Sequence, residues 1–139
     1  MNESPICEHW LYQVLSTDPQ IQSALGNRIF SGAIPQKVEF PYCFFFLQSG
    51  MDVQGLGTVR TKARLLYAIR VIERGRMSEG AILAANRIDE IVGKAVQVVH
   101  MGLEISGRRE QPLRYTDFEG DIRFDHLGGV YALEVYQMP

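Results

Sequence analysis

An α+β fold, with a mainly antiparallel sheet and helices packed on one face, is predicted by three features of the sequence. Two helix patterns open the chain, each with a proline at its start. A strongly amphipathic helix stands alone in the middle. The remaining strand-forming runs follow one another, three before that helix and three or four after it, an order that suits helices collected on one side of a sheet.

The first helix is expected from Ser4 as cap and Pro5 at its first position, and Ile6, Trp10, Leu11, Val14 and Leu15 recur at helical spacing to about Ser16. His9, Tyr12 and Gln13 fall off that stripe. Asp18 followed by Pro19 starts a second, shorter helix, since a side-chain oxygen can cap free amides and proline lacks only an N–H that would be orphaned there. Ile21 and Leu25 lie four apart on its apolar face, and Gly26 or Asn27 can take the left-handed conformation that ends it. Arg28-Ile29-Phe30 starts an extended run. Pro35 and Pro41 punctuate the path to Tyr42-Cys43-Phe44-Phe45-Phe46-Leu47, which is apolar on both alternating faces and reads as a strand covered from both sides.

From Gln48 to Thr61 three glycines and few core candidates predict a long, mobile connection. Ala63–Ile72 is a strand with Leu65, Tyr67, Ile69 and Val71 on its core side and a mixed second face of Arg64, Leu66, Ala68, Arg70 and Ile72; Gly75 ends it. Ser78 and Glu79 begin the clearest helix, with Ala81, Ala84, Ala85, Ile88, Ile91, Val92 and Ala95 at helical spacing and its small alanines suited to close packing on a sheet. Val96–Ile105 is a further strand and Gly107–Pro112 a charged turn. Leu113–Phe118 and Asp121–Phe124 are short extended pieces around a hairpin at Glu119-Gly120, and Gly128-Gly129 precedes a last strand, Val130–Tyr136.

At 139 residues the chain is read as one domain, residues 1–139, able to bury a real core. With 46% hydrophobic and 22% charged residues it is globular in composition, and a net charge of −2 lacks the basic footprint of a domain that grips nucleic acid. Cys7 and Cys43 are read as reduced thiols, because no secretory signal is recognisable at the N-terminus and no CxxC pair is present. The longest apolar run falls far short of the roughly 20 residues a membrane span needs, so no membrane partner is expected and the chain is expected to be made and kept in a cytoplasm.

Residues able to carry chemistry are sparse. His9, His100 and His126 stand in no zinc-ligand arrangement. Glu119, Asp121, Asp125 and His126 are near one another in sequence, but the spacing of a calcium loop is absent, and a solvated hairpin is the simpler reading. Cys7 and His9 are two apart on a helix and so do not share a face, while Cys43 sits in an apolar strand. Gly55-Leu56-Gly57 lacks the third glycine and following helix of a phosphate loop. No catalytic residue, metal ligand or cofactor is expected, and the chain is read as not an enzyme.

The order of the signals from Leu11 to Leu47, a short helix ending in Leu-Gly-Asn-Arg-Ile-Phe, then Gly-Ala-Ile-Pro-Gln, Phe-Pro-Tyr and an aromatic strand, resembles the tail-completion, or tail-terminator, proteins of long-tailed bacteriophages, prophages and phage-like particles. The likeness continues more loosely through Ala63–Ile72, Ser78–Val92 and Val130–Tyr136. It implies a structural virion protein, assembled in a bacterial cytoplasm. Such a protein forms a homo-oligomeric ring, a hexamer, that caps the tail-tube protein, ends its polymerisation, joins the tail to the head–tail connector or neck, and passes DNA through its lumen. In that setting Met51, Val53, Leu56, Val59, Arg108 and Arg109 are expected at subunit or tube contacts, and Asp117, Glu119, Asp121 and Asp125 as lumen-facing acids. Arg108, Arg109 and Arg114 could pair with Glu119 or Asp121 locally or across subunits. The aromatic run, with Tyr42, Phe44 and Phe46 on one face and Phe45 and Leu47 on the other, leaves two readings open: both faces lie in the core, or one of them, together with Tyr131 or Tyr136, meets a neighbouring subunit. Another head–tail connector or neck component, or a free-standing ligand- or protein-binding α+β domain, is the alternative function.

Overall fold

The computed structural model describes residues 2–54 and 60–138. Helices α1 (Glu3–Thr17) and α2 (Pro19–Leu25) are followed by strands β1 (Ile29–Ser31), β2 (Tyr42–Gln54) and β3 (Arg60–Arg74), helix α3 (Glu79–Val92), and strands β4 (Val98–His100), β5 (Leu103–Glu119) and β6 (Ile122–Gln137). They form a curled six-stranded sheet in the order β1-β2-β3-β6-β5-β4, antiparallel except for the β1–β2 pair. The fold is α+β, as the sequence predicts.

Local chemistry fixes the helix ends. Asp18 Oδ2 accepts the N–H groups of Gln20 and Ile21 at 3.2 and 3.1 Å, Pro19 occupies the first turn, and Gly26 closes α2 at φ 61°. Arg87 on α3 donates to the other Asp18 oxygen at 3.0 Å, so one carboxylate caps α2 and ties it to α3. Burial raises the pKa of Asp18, but the Arg87 and backbone hydrogen bonds outweigh it and hold the carboxyl below its usual range. Ser78 caps α3 by accepting from Ala81 N–H. The expected Ser4 cap is corrected: α1 begins after Asn2, whose side chain makes no cap bond, and Ser4 lies inside the helix beside the Tyr67 hydroxyl.

The core lies between the helices and one sheet face. Cys7, Trp10, Leu11 and Leu15 of α1, Ile21 and Leu25 of α2, and Ala81, Ala84, Ala85, Ile88 and Val92 of α3 meet Phe45, Tyr67, Ile69, Tyr131, Leu133 and Ile105. Both cysteines are free and buried, and burial pushes each thiol up to about 12, which keeps them protonated packing groups.

Four expectations about strand length are corrected. Gln48–Thr61 is mostly strand: β2 runs to Gln54 and β3 starts at Arg60. Gly107–Pro112 is the middle of β5, not a turn, with a bulge where Arg109 and Gln111 pair to adjacent residues of β6. Val96–Ile105 is divided between β4 and β5 by a turn with Met101 and Gly102 at positive φ. Gly128 and Gly129 lie within β6, and a Cβ on Gly128 would meet the Ile69 carbonyl oxygen at 2.0 Å. Only glycine lets β3 and β6 approach there.

Replacing Asp18 by Ala should lower stability by about 2 kcal/mol, since it removes a cap and leaves Arg87 without this partner. Urea unfolding measures it, with Asp18→Asn expected to lose less; an unchanged midpoint would show that the α2–α3 tie contributes nothing.

Candidate functional site: the open sheet face and the hairpin tip

The helices cover only one face of the sheet. Directly opposed residues in an antiparallel pair share a face, so the pairings Tyr42↔Ile72, Phe44↔Arg70 and Phe46↔Ala68 put the aromatic row of β2 opposite the side that holds Phe45 and Cys43. Among the described residues no helix lies over this second face. Phe44 and Phe46 are half-buried, 5.7 Å apart between ring centroids. Small residues, Ala68 and Ala132, form the centre of the face and are covered by their larger neighbours. The expectation of a strand covered on both sides therefore holds for Phe45 and for Tyr42 at the end of the row, and fails for Phe44 and Phe46, which are covered in part.

The bulge between Leu47 and Ser49 shifts the alternation of β2 by one residue. Beyond it Met51 opposes Arg64 and Val53 opposes Lys62, so both join the open face, where Met51 is 56% exposed. Arg108, opposite Ala132, points the same way, while Arg109, opposite Tyr131, points to the helices and pairs with Asp89 at 3.5 Å. Three of the residues expected at subunit contacts, far apart in sequence, thus share one surface, and Arg109 does not. Leu56 and Val59 lie outside the described residues.

Charges on the open face are mostly answered locally. Lys62 pairs with Glu134 at 3.2 Å, and Glu110 sits between Arg64 and Arg108, the latter at 3.1 Å. Arg70 differs: its guanidinium carbon lies 5.6 and 5.7 Å from the Phe44 and Phe46 ring centroids, and its Nε is buried without a hydrogen-bond partner. Further along, Tyr115 stacks on His126 with centroids 4.2 Å apart, and His126 Nε2 lies 3.2 Å from Asp117. Burial lowers the His126 pKa against the opposing Asp117 contact.

The four acids expected at a lumen divide into two kinds. Asp117, Glu119 and Asp121 are exposed at the tip of the β5–β6 hairpin, beside Phe118 and Ile122, which are 66% and 38% exposed. Asp125 is a correction: its side chain is buried on the helix side of the sheet. It accepts from Arg123 (2.9 and 3.2 Å), Thr116 (2.7 Å) and the Met77 backbone N–H (3.0 Å), with Arg114 at 3.7 Å. These donors, Arg123 foremost, hold its carboxyl far below the usual range. Asp125 fastens the hairpin to the start of α3, so it presents no charge to solvent. Arg108, Arg109 and Arg114 likewise bond Glu110, Asp89 and Asp125 rather than Glu119 or Asp121.

Sequence reasoning missed one pair: His9 of α1 and His100 of β4 meet at 2.9 Å with stacked rings, although 91 residues separate them. No spacing signal could reveal it. Among the described residues no group of three His, Cys, Asp or Glu side chains is placed to hold a metal, and no helix is long and apolar enough to cross a membrane. A polar recess of about 330 Å³ between α3 and the hairpin is lined by Asp89, Glu90, Lys94, Arg109 and Tyr131. Its acids already bind neighbours, Asp89 taking the Tyr131 hydroxyl at 3.1 Å and Glu90 taking Arg87 at 2.9 Å.

Comparison with solved structures gives a likeness in fold. A chain in a solved structure described as the virion of a native gene transfer agent particle shares this fold with a TM-score of 0.66. The alignment covers 91% of each chain at 17% identity. No protein-family model and no curated protein matches the sequence.

The buried acid and the buried imidazole make stability fall with acid in two windows. A lowered folded pKa means the unfolded chain binds the proton first, so His126 contributes fully above about pH 6.5 and Asp125 above about pH 4, each contribution being lost below. Thermal melts from pH 8 to 3 should show both declines, and Asp125→Asn should be less stable at pH 7 by about 3 kcal/mol while flattening the lower one. A lower decline equally steep in Asp125→Asn would contradict the assignment.

Proposed function

We propose that this chain is a structural component of a phage-type or phage-like virion, acting as one domain, and that it works as a tail terminator. In this reading copies of the chain form a closed ring, a hexamer, on the last ring of the tail-tube protein at the head-proximal end of the tail. The ring stops further polymerisation and offers its other side to the head–tail connector, with DNA passing through the centre.

The observation that carries this reading is the fold shared with a gene-transfer-agent virion chain across nearly the full length of both. The surface agrees with it. A sheet with one uncovered, partly aromatic face is what a subunit that completes its burial by assembly presents. A heterologous contact through such a face can close into a ring and leave two different ends, one for the tube and one for the neck. The long edges of the sheet are unsuited to open-ended strand addition: β5 carries Pro112, a bulge and three arginines along its free edge, and β2 has a bulge after Leu47. Contacts made by side chains across a face, with guarded edges, favour a finite assembly. The role is read as non-catalytic.

Deleting the gene from the producing cell should yield tails of uncontrolled length or tails detached from heads, seen by negative-stain electron microscopy, and purified chain added with tube protein should form rings on tube ends. Normal particles from the deletion, with no ring on tubes, would overturn the reading.

A further inference from the structure

Arg70 Nε has no hydrogen-bond acceptor among the described residues. Aromatic faces attract the cation, but the Nε–H still requires an acceptor, and leaving a buried donor unmade costs about 1–3 kcal/mol. No carboxylate among the described residues pairs with Arg70, although the other paired cations of this face, Lys62, Arg64 and Arg108, each have one. Phe44 and Phe46 frame the guanidinium, so an acceptor carried on a partly apolar element matches this part of the face.

The hairpin tip is such an element. Glu119 and Ile122 face each other across the turn and share a side, pairing an exposed carboxylate with an exposed aliphatic group. Glu119 forms no ion pair among the described residues, unlike Asp125. Within its own chain the tip is out of reach. The β3–β6 pairing ends at Arg74 and Phe124, four residues along β3 from Arg70 and about 13 Å away, and the tip extends beyond that point.

We infer that the hairpin tip of one copy docks on the open sheet face of the next, with Glu119 accepting from Arg70 and Ile122 resting against Phe44 and Phe46. This rests on the ring reading above and names the contact that closes the ring. Tip and face are different surfaces, so the contact is heterologous and repeats from copy to copy. It sets Glu119 against a neighbour rather than in an open lumen.

Charge exchange tests it, with rings on tube ends counted by electron microscopy and association followed by light scattering. Arg70→Glu and Glu119→Arg should each weaken association by about ten-fold or more. The double variant, and a 1:1 mixture of the two single variants, should restore it, since either arrangement pairs opposite charges at every contact. Thermal melts confirm folding. If Arg70→Glu does not fold, Arg70→Met, which keeps the packing between the rings, and the exposed Ile122→Ser take its place, and both should weaken association. Wild-type rings that tolerate Glu119→Arg, or single losses without rescue by exchange, would overturn this contact and leave the ring reading intact. Absence of wild-type rings would overturn both.

Discussion

Three helices cover one side of a six-stranded sheet, and everything else in this molecule follows from which side they take. The helix-facing row is large and fully buried, with Tyr67, Tyr131, Phe45 and Leu133 filling the space under α1 and α3. α3 can lie close because its contact stripe is Ala81, Ala84 and Ala85 and because Gly107 has no side chain to meet the Val92 carbonyl, which a Cβ would approach to 2.2 Å. Among the described residues no helix covers the other face. That face is built instead from small residues at its centre, locally paired charges, and an aromatic row that stays half-exposed.

Such a surface offers area, a cation held between two rings, and a pattern of charge. The titratable groups with the largest displacements, Asp125, the two thiols and the hydroxyls of Tyr67 and Tyr131, are displaced by structural bonds or by burial. Perturbed ionisation here marks fastening points of the fold: Asp125 between hairpin and α3, Asp18 between α2 and α3.

What the sequence makes legible is what is decided locally. Asp18-Pro19, Ser78-Glu79 and Gly26 carry their caps within three or four residues, and the helices begin and end where those signals lie, Ser4 excepted. The strand ends are set by partners far along the chain, and there local signals mislead. Gly107–Pro112 looks like a turn because it is charged and contains proline, yet an edge strand tolerates both. Gln48–Gln54 lacks apolar alternation because a bulge shifts its register and its outer edge has no strand beyond β1. Gly128-Gly129 reads as a break although its role is to admit the neighbouring backbone. Of the residues on the open face, the sequence singles out Met51, Val53 and Arg108, but their common face depends on a register the sequence does not display. The burial of Asp125 had one faint signal, Arg123 two residues before it on the same side of the strand.

The central claim is that the open face is left for assembly to cover. Hydroxyl-radical footprinting of the free chain and of the complete particle measures this directly. Oxidation of Phe44, Phe46 and Met51 should fall sharply on assembly, while Leu83, 58% exposed on the outer side of α3, should change much less. Equal oxidation of the aromatic row in both states would contradict the account, as would protection confined to the helix side.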